Sequence, residues 1–511
     1  MYTSQSYTIL ILLIYKICLM ASMKHDYGFD VKEFKGNWCR QRKAKLDWEA
    51  IIEPCKSDLE YNFKPRSSTL GDATSVEKSM VFVKVAPAGQ FSHIRIESRD
   101  MLGNLKLYGG DSWRVTLRNP EATIATDVFD FNNGSYEALT LIMEPGMYEL
   151  DLRLDYTLCD GLRNPPVEWF HKVHCSGVFK NQQDIGTELF ANMQDYINKK
   201  LDNSQILTIN VPASNLNLID HARLMVEAEN ECELSCKKKL WDGYGRWSLD
   251  SKWKPFIEEI NLPSSLDGWH TFDGRKNLDY TSNHTEGEGI FWIYGDSLSY
   301  YFFESFSKAK AQFCTTSFKM CNVSYNWIYP KTLYELTETC SETKLEVPKV
   351  LHYLREVTNN PNMIDYNSVL LFNAGAHYVK TTNFDQYKDA IREIAKVLSQ
   401  EFIGKAIWKS TAAVHDQTAT IMGSFRRFTT DHRVKLFNAY SNDVMCKAGV
   451  SFLDIYPMSA SYPYGTKDGI HYDSKVFYPV EDLLVNYFDR EYRQGNVLSY
   501  DEMKTYEDDL R

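Results

Sequence analysis

Residues 291–303 read FWIYGDSLSYYFF, an apolar run broken by Gly-Asp-Ser and then resumed. A short apolar run that ends at a glycine fits a buried strand, and both Asp296 and Ser297 can accept N–H bonds where a helix begins. The junction predicts a strand handing over to a helix. It leaves two roles open for Ser297, a helix cap or a nucleophile held at the turn.

Toward the C-terminus the same alternation repeats. Residues 289–294, 368–373, 406–410 and 450–456 are short β-like apolar runs. Between them, 385–402 places Tyr387, Ile391, Ile394 and Leu398 on one helical face, and 431–448 places Val434, Phe437 and Val444 near another before Gly449 stops it. Strand and helix in alternation imply an α/β domain with a parallel sheet and helices on both sides, assigned to residues 241–511.

Upstream the period changes. MVFVKVAP (80–87), HIRIESRD (93–100), NLKLYG (104–109), DSWRVTLR (111–118), ATIATDVFDF (122–131), SYEALTLIM (135–143) and MYELDLRLDY (147–156) alternate with period two between turn residues. That is the pattern of an all-β sandwich, over residues 76–158. Residues 22–75 are polar, with Cys39 and Cys55 flanking a short helix in RQRKAKLDWEAII, and read as an N-terminal extension. Residues 159–240 carry four cysteines and little periodicity, and read as a cross-linked connector.

Bulk composition agrees with several units, because 511 residues at 43% hydrophobic content can bury more than one core. A net charge of -11 and no dense Lys/Arg stripe exclude a nucleic-acid partner. Residues 8–20 (TILILLIYKICLM) have signal-peptide length and are followed by small Ala21 and Ser22, so 1–21 is read as a signal peptide. Lys16 interrupts the run and the preceding residues lack positive charge, which keeps open an upstream leader with the start at Met20 or Met23.

Eleven cysteines less Cys18, inside that segment, leave the even number a disulfide-bonded extracellular chain would show: Cys39, Cys55, Cys159, Cys175, Cys232, Cys236, Cys314, Cys321, Cys340 and Cys446. Pairing is not readable from spacing. Sequons at Asn133, Asn283 and Asn322 fit the same compartment as N-glycosylation sites. The final YEDDLR is no retention signal, so secretion and residence in the Golgi lumen both stay open. His171-x-x-His174-Cys175 reads as half a disulfide beside two ordinary histidines rather than as a metal site, since no second pair stands at zinc spacing.

In open parallel sheets, functional groups collect beyond the C-terminal strand ends. Gly295-Asp296-Ser297, Asn373-Ala-Gly375-Ala-His377 and Asp468-Gly-Ile-His471 all fall at such places. Gly-Asp-Ser near the domain start and Asp-x-x-His near its end, with Asn-x-Gly-x-His between, resemble the PC-esterase branch of the SGNH (GDSL-like) hydrolases. Asp130-Phe-Asn-Asn-Gly-Ser-Tyr136 and Glu144-Pro-Gly-Met-Tyr148 resemble the paired signature of filamin-type, immunoglobulin-like repeats. There Gly134 supplies a positive φ, and Tyr136 and Tyr148 bury their rings. Together, over roughly residues 76–500, the chain resembles the neurexophilin and PC-esterase domain (NXPE-like) family.

That resemblance implies Ser297 as nucleophile, His471 as general base and Asp468 as the residue that fixes the imidazole tautomer. The Ser297 and Gly375 N–H groups and Asn373 Nδ2 are the implied oxyanion donors. It implies carbohydrate acyl esters as substrates, that is, a glycan or small acyl ester, with no metal or organic cofactor. His377, His415 and Trp292 are placed near the rim with no role beyond pocket lining. One departure is Tyr300, where related acetyltransferases usually carry Arg, which bears on acetyl transfer more than on simple hydrolysis. The competing reading is a non-enzymatic extracellular binding protein, with a degenerate hydrolase domain and a protein partner held through the β-domain.

Overall fold

The computed structural model describes residues 29–60, 70–165, 196–201, 207–215, 218–232, 239–256, 287–330, 345–415 and 427–498. The segment 8–20, His171, His174, Cys175, Cys236, Asn283 and Cys340 lie outside these. Helix α1 (Val31–Lys43) starts at Asp30, whose carboxylate accepts the Lys32 and Glu33 N–H groups at 2.9 and 3.0 Å. Cys39 lies inside this helix rather than ahead of one, and a separate short turn follows at Trp48–Ile52.

Strands β1 (Thr74–Lys84), β2 (Gln90–Asp100), β3 (Ser112–Arg118), β4 (Thr123–Ala125), β5 (Asp127–Asp130), β6 (Ser135–Ile142), β7 (Gly146–Tyr156), β8 (Lys199–Lys200) and β9 (Thr208–Val211) form two antiparallel sheets. One has the order β1-β2-β6-β5. The other contains β4-β3-β7-β8, with β9 also beside β7. Their inner faces share one core, in which Ile94 and Ile96 meet Val115, Leu117, Leu150, Leu152 and Leu154 at period-two spacing.

Two details depart from the sequence expectation. The run 122–131 divides at Thr126, whose N–H and Oγ1 both bond the Val115 carbonyl (3.2 and 3.1 Å), so the chain changes sheets there. Residues 104–109 are a loop rather than a strand, joined to β2 through the isolated Arg99–Leu105 bridge and the hydrogen bonds of Asn104 and Lys106 to Asp100 and Ser98. In it Leu107 is 78% exposed, while Lys106 is buried against Asp111 at 3.0 Å, the reverse of what hydropathy selects. Gly134 has φ of 79°, and an added Cβ would sit 2.0 Å from the Lys106 carbonyl oxygen. Tyr136 and Tyr148 are buried.

Helix α2 (Leu218–Glu231) packs on α1 beside the Cys39–Cys232 disulfide, and Cys55–Cys159 makes a second link. The segment 159–240 is therefore bonded to the N-terminal extension. Next, β10 (Lys239–Trp241), β11 (Gly245–Trp247) and β12 (Trp253–Pro255) stitch the two halves together. β11 pairs with β4, while β10 joins the parallel sheet. Gly243 stands at the crossing, where a Cβ would meet the Asp454 carbonyl oxygen at 2.2 Å.

The remaining elements alternate: β13 (Ile290–Gly295), α3 (Ser297–Ala309), β14 (Met320–Tyr325), α4 (Val347–Thr358), β15 (Val369–Phe372), α5 (Ala376–Thr381), α6 (Phe384–Lys396), β16 (Lys405–Lys409), α7 (Asp431–Lys447), β17 (Ser451–Leu453), α8 (Tyr456–Ala460) and α9 (Tyr478–Leu498). The sheet is parallel throughout, in the order β14-β13-β15-β16-β17-β10. One face buries Leu370, Phe372 and Trp408 against Tyr387, Ile391 and Phe437. The other buries Phe291, Ile293 and Leu371 against Phe302, Phe306 and Phe488. The chain leaves β13 toward β14 on one side and returns to β15 on the other, so a crevice opens between the carboxyl ends of β13 and β15.

Candidate active site

The serine turn is built by Asp296. Its backbone is extended, its carboxylate caps α3 by accepting Leu298 N–H at 3.1 Å, and Ser297 becomes the first helical residue. The second carboxylate oxygen reaches across the crevice to accept Ala376 N–H at 2.8 Å. One buried carboxylate thus ties the loop after β13 to the loop after β15. Gly375 makes this possible, because a Cβ there would lie 2.2 Å from Asp296 Oδ2 and 2.3 Å from Asn373 Oδ1.

The Asp-x-x-His loop arrives from the far end of the sheet. Gly469 has φ of 95°, a conformation that suits glycine and turns the chain back on itself. Asp468 Oδ1 accepts the Ile470 and His471 N–H groups at 3.1 and 2.9 Å, and Oδ2 pairs with His471 Nδ1 at 2.8 Å. His471 Nε2 then lies 2.9 Å from Ser297 Oγ. The loop is held by His415 N–H donating to the Gly469 carbonyl (2.8 Å) and by the buried Tyr472 hydroxyl donating to the Ala413 carbonyl (2.5 Å).

These contacts set the electrostatics. Burial disfavours ionisation of Asp468, but hydrogen bonds from the His471 ring and backbone outweigh it and hold the carboxyl well below the usual range. A carboxylate on Nδ1 fixes the tautomer with the proton at Nδ1, which leaves Nε2 as an acceptor facing the serine hydroxyl. Behind the turn, burial pushes the Lys409 ammonium down to about 8, against the opposing pull of Asp296.

Ser297, His471 and Asp468 are therefore brought together, and Gly375 stands beside the serine turn. Asn373 is turned away from the role expected of it. Its Nδ2 donates to the Lys409 carbonyl at 2.8 Å and lies 3.4 Å from Thr411 Oγ1, so the loop after β16 already uses this donor. Trp292 is not at the rim either. It is a core residue of β13, 8% exposed, and its Nε1 donates to Ser324 Oγ at 2.9 Å. His415 lies under the Asp-x-x-His loop, and His377 stacks on Trp327 with centroids 4.4 Å apart. Asn133 is exposed and Asn322 half-buried on the edge strand β14.

Sequence reasoning missed the bridging role of Asp296 and the loop after β14, where Asn326 N–H donates to the Gly295 carbonyl and Asn326 Nδ2 to the Tyr294 hydroxyl, both at 2.7 Å. The signal for Asp296 was present, since an aspartate before a helix is a strong cap. Its second bond crosses 80 positions of sequence.

No protein-family model matches the chain, and no curated protein does. Among solved structures, the lipase/acylhydrolase from Enterococcus faecalis aligns with 40% of this chain and 97% of its own, at 12% identity and a TM-score of 0.27. A gut microbial diltiazem-metabolizing enzyme aligns with 40% of this chain and 48% of its own, at 13% identity and a TM-score of 0.26. Likeness this distant carries nothing about residues or chemistry, which rest on the distances above.

Proposed function

We propose that this protein is a secreted or luminal serine esterase or O-acyltransferase acting on carbohydrate acyl esters. The observation that carries the reading is the unbroken relay from Ser297 Oγ through His471 to Asp468, with contacts of 2.9 and 2.8 Å. In the first step His471 Nε2 takes the hydroxyl proton as Ser297 Oγ bonds the acyl carbon, and the carbonyl electrons move onto oxygen. The N–H groups of Ser297, at a helix N-terminus, and of Gly375 are the oxyanion donors of this proposal. Collapse expels the alkoxide, which takes the proton back from His471 and leaves acyl-Ser297. Water, or an acceptor hydroxyl, then repeats the sequence and regenerates the serine. Balance requires no metal or organic cofactor.

The sugar class follows from the motif resemblance, as does the filamin-like assignment of β1–β9. Secretion is supported by three disulfides among the described residues, Cys39–Cys232, Cys55–Cys159 and Cys314–Cys321, with Cys446 also disulfide-bonded. No described helix is long and apolar enough to cross a membrane. The test is to quench the protein with acid during exposure to an acetyl ester and map the adduct by mass spectrometry. Acetyl on the peptide carrying Ser297 supports the reading. Ester consumed with no adduct, there or in a hydroxylamine trap, points to another mechanism, and no consumption favours the binding-protein alternative.

A further inference from the structure

We infer that Tyr300 and Tyr301 form a platform for the sugar ring of the ester, an inference that rests on the serine-esterase reading and adds the residues that select its substrate. Ser297 is the first residue of α3, and Tyr300 and Tyr301 follow it at i+3 and i+4. Those positions share one helix face and lie about 5.4 Å, one turn, along the axis. Helical side chains lean toward the N-terminus, and the Tyr301 ring meets His471, the histidine that faces Ser297.

Core packing does not account for the pair. Leu298 and Phe302 of the same helix are 1% and 0% exposed, whereas Tyr300 and Tyr301 are 38% and 44% exposed. Their rings are braced edge to face: Tyr301 against His471 at 5.3 Å, Tyr300 against Tyr301 at 6.1 Å and against Tyr325 at 5.8 Å. A corner of near-perpendicular tyrosines presents rigid aromatic faces with hydroxyls at the edge, at small entropic cost. The C–H face and hydroxyl rim of a pyranose complement that surface.

Charge narrows the class. Glu304 lies one turn beyond Tyr300, close enough to raise its phenol, and Asp468 stands on the other side of His471. Two carboxylates disfavour phosphorylated or carboxylated sugars. A long acyl chain would need an enclosed apolar channel, and this surface is open. The ring is therefore neutral, and its ester reaches the serine one turn away.

The test separates binding from catalysis by using the Ser297→Ala protein, which leaves the ligand intact. Two probes carry the same three acetyl groups: methyl xylopyranoside triacetate, with a ring, and glyceryl triacetate, without one. Titrated by NMR, the ring probe is expected to bind about ten-fold more tightly, and adding Tyr300→Leu to remove about that factor while leaving the acyclic probe unchanged. Equal affinity for the two probes, no binding of either, or a ring affinity indifferent to Tyr300→Leu overturns the platform. Failure of the esterase reading shows elsewhere, as wild-type protein that cleaves neither probe. Tyr300 is exposed, and a circular dichroism spectrum checks that the double variant is folded.

Discussion

Replacing Gly375 with alanine probes the tie between the two loops that shape the crevice. Alanine at Gly375 adds a methyl group to a crowded point between the two loops. The new methyl carbon would meet Asp296 Oδ2 at 2.2 Å, Asn373 Oδ1 at 2.3 Å and Asp296 Cγ at 2.9 Å. Asp296 and Asn373 are 1% and 4% exposed, so neither can swing into solvent. Ordinary contact distances require the carboxylate to retreat by roughly 1 Å. It then loses or stretches its bonds to Leu298 and Ala376 N–H, and a hydrogen bond to a charged group contributes about 1.5–3 kcal/mol. The expected cost is about 2–4 kcal/mol of stability. Because Ser297 follows Asp296 directly, a shift of about 1 Å in the nucleophile also predicts about a 10²-fold loss of turnover. Urea unfolding gives the first quantity, and the initial rate on a simple acetyl ester the second. A variant with the wild-type urea midpoint and rate within two-fold of wild type refutes the bridge.

Asp468→Asn keeps the shape of the loop but removes the charge that selects the His471 tautomer, and turnover is expected to fall about 10³- to 10⁴-fold in a protein with an unchanged circular dichroism spectrum. Glu481, buried at the start of α9, is pushed up to about 7, chiefly by burial. A raised carboxyl favours the protonated folded state, so its stability contribution is full below the unfolded value near 4.5 and is lost as pH rises through about 7. Glu481→Gln should therefore raise unfolding free energy by about 3 kcal/mol near pH 8 and change it little near pH 4.5, read from urea midpoints at both. Converting both Cys39 and Cys232 to alanine releases α2 from α1 and should cost about 2–5 kcal/mol in the same assay.

Legibility followed locality. Strand, Gly-Asp-Ser and helix are adjacent in sequence, and Asp468 reaches its histidine within one turn, so both could be read directly. The turn at Gly134 and the inward faces of β3 and β7 declared themselves through positive φ and period two. What failed depended on distant partners. β14 is an edge strand whose residues are all half-buried or exposed, so its hydropathy carries little signal. Thr126 divides a continuous β-rich run because Val115 on a neighbouring strand takes its bonds. Lys106 inverts the burial of its loop through Asp111, and Asn373 is claimed by a carbonyl 36 positions away. Trp247, in the antiparallel sheet, completes the core of the parallel one and donates to the Met458 carbonyl at 2.8 Å, so residues 239–255 belong to both halves.

The central claim is that Ser297 is an activated nucleophile. The most direct measurement is covalent labelling by a fluorophosphonate, on wild-type protein and Ser297→Ala secreted from eukaryotic cells. Time-dependent labelling of the wild type, located on Ser297 and lost in the variant, is the predicted result. Folded wild-type protein that stays unlabelled at high probe concentration, or a variant labelled as fast as the wild type, contradicts the account and returns Ser297 to the role of a helix residue beside an aspartate cap.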